Sequence, residues 1–247
     1  MKSFAFVFPG QGSQAVGMLD AWGDHPAVRQ TLEEASTALG QDLAALIHAG
    51  PKEDLALTTN TQPVMLVAGV AAYRAWRAEG GAAPAAVAGH SLGEYAALVA
   101  AEVLSLAEAV PLVRLRAQAM QEAVPVGQGA MAAILGLNPA LVIEGCAQAQ
   151  ASFGPGSAEA VDAANFNDPA QTVIAGSKAA VDKACELLKG MGAKRALLLP
   201  VSAPFHSRLM KPAAERLQAR LAELTLQVPR IPVVNNIDVA VESDPVR

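Results

Sequence analysis

No apolar run in this chain approaches the ~20 residues that a membrane-spanning helix needs, because charged or turn residues interrupt every candidate. No secretory leader is expected from the N-terminal residues. Met1-Lys2-Ser3 is followed by the short run Phe4 to Phe8 and then Pro9-Gly10, which is too short for a signal-peptide core and has no cleavage site after it. Those residues read as a first strand. Cysteine is scarce: Cys146 and Cys185 fall in helical patterns without metal-like spacing. That excludes a metal framework and predicts a reduced, cytoplasmic protein with two small core thiols. Surplus positive charge is lacking, since 18 basic residues face 23 acidic ones for a net charge of −5. A general nucleic-acid binder is thereby excluded. There are no internal repeats and no low-complexity tract. What is abundant is apolar residues, 52% of 247, enough for one large domain or a domain carrying an insertion.

The most informative stretch is Gly89-His90-Ser91-Leu92-Gly93. A small-residue and β-branched run, Ala85 to Ala88, leads in, and a long apolar run, Tyr95 to Val103, leads out. Gly-x-Ser-x-Gly between a strand and a helix is a nucleophile elbow, in which the glycines permit a sharp turn and the serine hydroxyl stands above the sheet. The first N–H groups of the following helix favour negative charge developing at that spot. The motif alone is weak, and its bland reading is a βα turn with Ser91 as an ordinary helix N-cap.

Helices are expected at 26–39 and 62–78, with Pro63 in a first turn, and at 92–101. Ser105-x-x-Glu108 is a capping-box pattern opening a helix to about Ala123, which Pro111 should kink or disturb. After Gly127-Gln128-Gly129 the texture changes to strand 131–137, helix 139–151, strands 160–165 and 171–175, helix 178–191 and strand 194–200. That βαββαβ order is the order of a ferredoxin-like unit. The predicted architecture is α/β, with a large hydrolase-like domain over 1–126 and 201–247 holding a parallel sheet, and a ferredoxin-like insertion over 127–200. A helix over about 208–223 and a strand near 231–235 complete the large domain.

A nucleophilic serine needs a base, and there are four histidines. His25 and His48 sit at helix ends and read as solvated, while His90 adjoins Ser91 and faces elsewhere. Elimination favours His206, in Ser202-Ala203-Pro204-Phe205-His206, since loops after strand ends assemble sites in open α/β sheets. Projected at 100° per residue, Arg116 falls among Ala109, Leu112, Val113, Met120 and Ala123, all apolar. An arginine on an inward stripe requires an anion. An internal carboxylate and a substrate carboxylate held bidentately both satisfy it.

Phe8-Pro9-Gly10-Gln11-Gly12-Ser13-Gln14, the serine elbow through Glu94, Arg116-x-x-x-Met120-Gln121-Glu122-Ala123, Asn165-Phe166-Asn167 and Phe205-His206-Ser207-x-x-Met210 occur together. In their order and spacing the chain resembles, over essentially its whole length, the malonyl-CoA:acyl carrier protein transacylases of fatty-acid synthesis. The resemblance implies Ser91 as nucleophile, His206 as general base, and the backbone N–H groups of Gln11 and Leu92 as oxyanion hole. It implies that Arg116 binds the malonyl carboxylate, that Asn165 and Asn167 touch the acyl chain or pantetheine, and that Phe205 limits the room beside the malonyl C2. The partners implied are malonyl-CoA and acyl carrier protein. No cofactor or metal is expected, because coenzyme A arrives as substrate and phosphopantetheine on the carrier. A monomer without nucleic-acid or membrane partners is expected.

Two features bear on these expectations. Related chains run on well beyond a segment like Val233-Val234-Asn235-Asn236, whereas this sequence stops at Arg247, so the C-terminal part of the large domain is expected to be incomplete. An acidic carrier protein would dock on a local basic patch, for which Arg208, Lys211, Lys194 and Arg195 are candidates beside the reading of an ordinary solvated face. Two rivals remain. A serine esterase of the α/β-hydrolase type would need an acid such as Asp168, and the upstream His-Gly-Gly motif of that class is absent. A non-catalytic carrier-binding module would need no nucleophile.

Overall fold

The computed structural model describes residues 3–244. The chain divides into two compact units, one of residues 1–117 and 219–247 and the other of residues 118–218. No helix among the described residues is long and apolar enough to cross a membrane.

The first unit is built on short strands. β1 (Ala5–Phe8) and β2 (Ala86–Gly89) pair in parallel, β2 pairs in parallel with β7 (Val233–Val234), and β7 turns back antiparallel to β8 (Val241–Glu242). α1 (Pro26–Leu39) matches its expected span because its ends are local signals. The His25 ring accepts from the Ala27 N–H, Pro26 opens the helix, and Gly40 takes the left-handed conformation at its end. This role corrects the solvated reading of His25, whose ring also bonds Glu79 at 3.0 Å. His48 is exposed against Asp20.

α2 (Leu43–Ala49) and α3 (Lys52–Ala56) were not foreseen; each is too short to show a periodicity. α4 (Thr58–Ala78) begins four residues before its expected start, so Pro63 lies in its sixth position rather than its first turn. The early start is hidden because its first residues are polar. Thr61 is fully buried and satisfied by hydrogen bonds to the Leu55 and Leu57 carbonyls, not by an apolar face. α5 (Gly93–Ala100) follows β2, and α6 (Leu106–Glu122) follows α5. The capping box at the head of α6 forms as expected: Ser105 N–H donates to the Glu108 carboxylate at 3.0 Å and Glu108 N–H donates to Ser105 Oγ at 3.2 Å. α6 continues through Pro111 to its full length.

The second unit runs β3 (Gly129–Leu135), α7 (Pro139–Ala151), β4 (Val161–Asp168), β5 (Gln171–Ser177), α8 (Lys178–Gly190) and β6 (Arg195–Leu198). Its sheet is wholly antiparallel in the order β4-β5-β3-β6. Strand alternation sends side chains to both faces. Ala132, Ile134 and Ile174 join Val142, Cys146, Ala149, Val181 and Leu188 of α7 and α8 in one cluster. Met131, Val173 and Ala175 join Met120, Ala203, Phe205 and Met210 in the other. Cys146 is free, and burial pushes its thiol up to about 12. Cys185 is also free and raised by burial, so both thiols are the packing residues expected. The helix expected over 208–223 is a short 3-10 turn, Arg208–Met210, leading into α9 (Lys211–Leu221).

Candidate active site

Ser91 stands between β2 and α5 with a φ of 50°, a left-handed conformation that is unfavourable for any residue with a Cβ. The elbow therefore exists, but its glycines do something other than expected: neither Gly89 nor Gly93 has a positive φ. They are needed for close approach. A Cβ on Gly89 would lie 1.9 Å from the Gly93 carbonyl carbon, and one on Gly93 would lie 2.2 Å from the Phe8 carbonyl oxygen. Gly10 meets the same elbow from the β1 side, where a Cβ would lie 2.6 Å from the His90 carbonyl oxygen. Three glycines thus let the loop after β1, the turn and the first turn of α5 pack backbone to backbone.

That packing bears on the N–H groups proposed for an oxyanion. The Ser91 N–H donates to Asn236 Oδ1 at 2.8 Å, and the Gly93 and Glu94 N–H groups donate to the His90 and Ser91 carbonyls. Among the described residues no acceptor engages the N–H of Gln11 or of Leu92. The Gln11 side chain is occupied elsewhere, donating to Thr58 Oγ1 at 3.2 Å. Leu92 is buried at the head of α5, where the helix dipole adds to its N–H.

Arg116 reaches this turn from α6. Its Nη2 donates to Ser91 Oγ at 3.1 Å, and its Nη1 donates to Gln62 Oε1 at 2.7 Å. Its guanidinium carbon lies 5.7 Å from the Tyr95 ring centroid, within cation–π range. Burial pulls the guanidinium below the ordinary arginine value, while Tyr95 and Glu94 act the other way. None of the ion pairs among the described residues includes Arg116. Among the described residues no internal carboxylate is in direct contact with it, although the Glu94 charge acts on it from nearby. Gln62 was not foreseen. It is a fully buried amide at the head of the apolar run Pro63-Val64-Met65-Leu66-Val67, and a polar side chain at that place is the signal.

In the second unit His206 is exposed and has a φ of 63°. Its neighbours are buried: Phe205 is 7% exposed and Ser207 5%. Phe205 therefore anchors the histidine loop in the core, a packing role that the sequence did not suggest. Asn165 sits half-buried in β4 beside a register irregularity between Ala163 and Asn165, and Asn167 is exposed further along it. Asp168, the acid an esterase would need, accepts from the Ala170 N–H at 2.8 Å within the β4–β5 hairpin. Its carboxylate serves its own turn. Arg208 is not a free docking cation: its side chain and backbone N–H both bond the Asp162 carboxylate.

Comparison with known proteins bears on the same residues. The family model described as "Acyl transferase domain" matches residues 5–246. The malonyl CoA-acyl carrier protein transacylase of Escherichia coli (strain K12) is 54% identical over 245 residues, covering 99% of this chain and 77% of that protein. The Bacillus subtilis (strain 168) protein of the same name is 44% identical over equal coverage of this chain and 75% of its own length. Among solved structures, an acyl-carrier-protein S-malonyltransferase from Burkholderia pseudomallei 1710b superposes with a TM-score of 0.94 at 62% identity, covering 99% of this chain and 78% of its own. A malonyl-transacylase solved in complex with its type II PKS acyl-carrier protein also gives a TM-score of 0.94, at 49% identity and with 99% and 78% coverage. With its strained serine elbow and a match of sequence and backbone over 99% of its residues, this chain belongs to the acyl transferase domain family.

Proposed function

We propose that this protein transfers a malonyl group from malonyl-CoA to the phosphopantetheine thiol of acyl carrier protein, through a malonyl-serine intermediate, in fatty-acid synthesis. The observation that carries the reading is Arg116: a cation outside every ion pair of the described residues, with one N–H on the oxygen of a serine held in a strained turn. A malonyl thioester brings a carboxylate that can pair with it directly.

The chemistry has two half-reactions. Ser91 Oγ attacks the thioester carbonyl carbon as His206 takes its proton. The N–H groups of Gln11 and Leu92 receive the oxyanion. Collapse breaks the C–S bond, and the departing coenzyme A sulfur takes the proton back from His206. The carrier thiol then attacks malonyl-Ser91 in the same manner and restores the serine. Arg116 holds the malonyl carboxylate bidentately throughout. Asn165 and Asn167 contribute to the acyl or pantetheine site, with Phe205 fixing the histidine loop. No cofactor takes part. The antiparallel unit is read as a ferredoxin-like insertion over 127–200 in a large domain of 1–126 and 201–247. The protein is taken to be a cytoplasmic monomer.

Intact-mass spectrometry after mixing with malonyl-CoA tests this. A malonyl adduct located on Ser91 and discharged by holo acyl carrier protein is the expected result. Rapid hydrolysis without accumulation would mean an esterase, and no adduct a binding module.

A further inference from the structure

We infer that Asn236 is a positioning residue for the nucleophile, its side-chain amide standing in for a peptide unit that closes the elbow around Ser91. This rests on the reading of Ser91 as nucleophile.

The argument begins with the strand pairing. β2 and β7 are parallel partners at Val87–Val233 and Ala88–Val234. There the ladder ends, because the chain after Val234 turns away: Asn235 N–H donates to the Ala240 carbonyl, and Asn235 Oδ1 collects the N–H groups of Ile237 and Asp238. The next polar groups along β2 are the Gly89 carbonyl and the Ser91 N–H. Asn236 takes both. Its Nδ2 donates to the Gly89 carbonyl at 2.7 Å and its Oδ1 accepts from the Ser91 N–H at 2.8 Å. One planar amide thus bridges the polar groups on either side of His90 and fixes the peptide that enters the strained Ser91, with the donor and acceptor a neighbouring strand would have supplied.

The amide is itself fixed. Its Nδ2 also donates to the Glu94 carboxylate, and the Asn236 N–H donates to the same carboxylate at 3.0 Å. Glu94 lies in the first turn of α5, directly after the elbow. Burial raises the Glu94 carboxyl above its ordinary value, while the two Asn236 hydrogen bonds and the Arg116 charge work against that rise. The groups facing this cluster are therefore Glu94, Arg116 and, through both, Tyr95.

The chemistry selects asparagine. The position calls for an acceptor toward Ser91 and two donors, toward Gly89 and Glu94. A carboxamide has all three; an aspartate has no donor and a serine only one hydrogen. A left-handed serine persists only where its surroundings over-determine it. Asn236 touches Ser91 only at the backbone, so its effect falls on where Oγ points and not on substrate binding.

The test is the rate of acyl-enzyme formation by wild type, Asn236→Ala and Asn236→Asp, followed by rapid quench and intact mass, beside the Tm of each. Both variants should lower kcat on the order of ten-fold, as expected for two hydrogen bonds of modest net worth, and leave KM for malonyl-CoA unchanged. Both should slow sulfonylation of Ser91 by phenylmethylsulfonyl fluoride by a similar factor, since that reagent has no carboxylate for Arg116. Asn236→Asp keeps the shape of the side chain and sets a second carboxylate against Glu94. Lowering the pH should put a shared proton between them and restore a donor. Its rate relative to wild type at the same pH should therefore rise as pH falls, while the Asn236→Ala ratio stays flat. Wild-type rates in both folded variants, or a loss confined to KM, would overturn the proposal. If wild type itself forms no adduct at Ser91, the nucleophile reading fails instead.

Discussion

The elbow after β2 and the loop after β6 each carry one exposed or half-exposed residue with a Cβ in the left-handed region, Ser91 at 50° and His206 at 63°. They are held there by opposite means. At the elbow the restraint is backbone against backbone, with Gly10, Gly89 and Gly93 stripped of side chains so that carbonyls and peptide planes touch. At the histidine loop the restraint is buried side chains on either flank. Ala203 and Phe205 fill the core cluster, Ser207 Oγ donates to the Pro204 carbonyl at 2.8 Å, and Ser202 Oγ bonds Gln121 Oε1 at 2.6 Å. The first kind of restraint tolerates no added atom. The second tolerates change in proportion to the volume removed.

Gly93→Ala should have the largest effect of all. Its Cβ would meet the Phe8 carbonyl oxygen at 2.2 Å, and a backbone partner cannot swing aside, so the cost should exceed both the roughly 1–3 kcal/mol of ordinary overpacking and the ~5 kcal/mol upper end for truncating a buried aromatic. Thermal unfolding and acyl-adduct yield are the measurements. A near-normal Tm with full acylation would break the comparison. Phe205→Ala should come next, costing about 3–5 kcal/mol as other buried aromatics do, whereas Phe205→Leu should recover most of it. Equal losses for alanine and leucine would mean that the ring has a role other than filling volume.

Arg116→Ala separates the chemistry of the elbow from its architecture. Losing charge-assisted hydrogen bonds to the malonyl carboxylate costs about 1.5–3 kcal/mol, or roughly 10- to 150-fold in kcat/KM. Acetyl-CoA, which has no such carboxylate, should be nearly unaffected. Arg116→Lys should recover only part, lacking the planar fork. Parallel falls for both thioesters would make Arg116 structural.

The smallest effect belongs to Arg208→Met beside the histidine loop. Burial would raise the Asp162 carboxyl, but its hydrogen bonds from Arg208 prevail and hold it below the usual carboxylate range. A depressed folded-state pKa stabilises the fold above the ordinary carboxylate value, and that contribution disappears as pH falls through the depressed one. The Arg208 side chain is 57% exposed, so the loss at neutral pH should stay within about 1 kcal/mol. The Tm gap to wild type should close in strong acid; a gap that widens there would reverse the sign.

What was legible in the sequence is what is local. Ser105 and Glu108 lie three residues apart, and their capping box formed as read. Arg116 was found because helical periodicity is a local rule, and so was the βαββαβ order of the second unit. What stayed hidden depends on distant partners. The glycines of the elbow signalled a turn, but the carbonyl that Gly93 accommodates belongs to Phe8. Gln62 bonds Arg116 across 54 residues, and Asn236 bonds Ser91 across 145. β7 is only two residues long, too short for alternation to mark its limits.

The wide separation of β7 from β2 also sets an order of assembly. Strand β2 gains its second neighbour only when a span of 145 residues between Ser91 and Asn236 has been closed, which costs about 4 kcal/mol of chain entropy as a flexible loop. That span contains the whole second unit, whose antiparallel pairings are much shorter in sequence. On a ribosome the second unit emerges complete before β7 does. The serine turn is therefore clasped late, and in a nascent chain the Ser91 N–H waits for its Asn236 partner until the segment after β7 arrives.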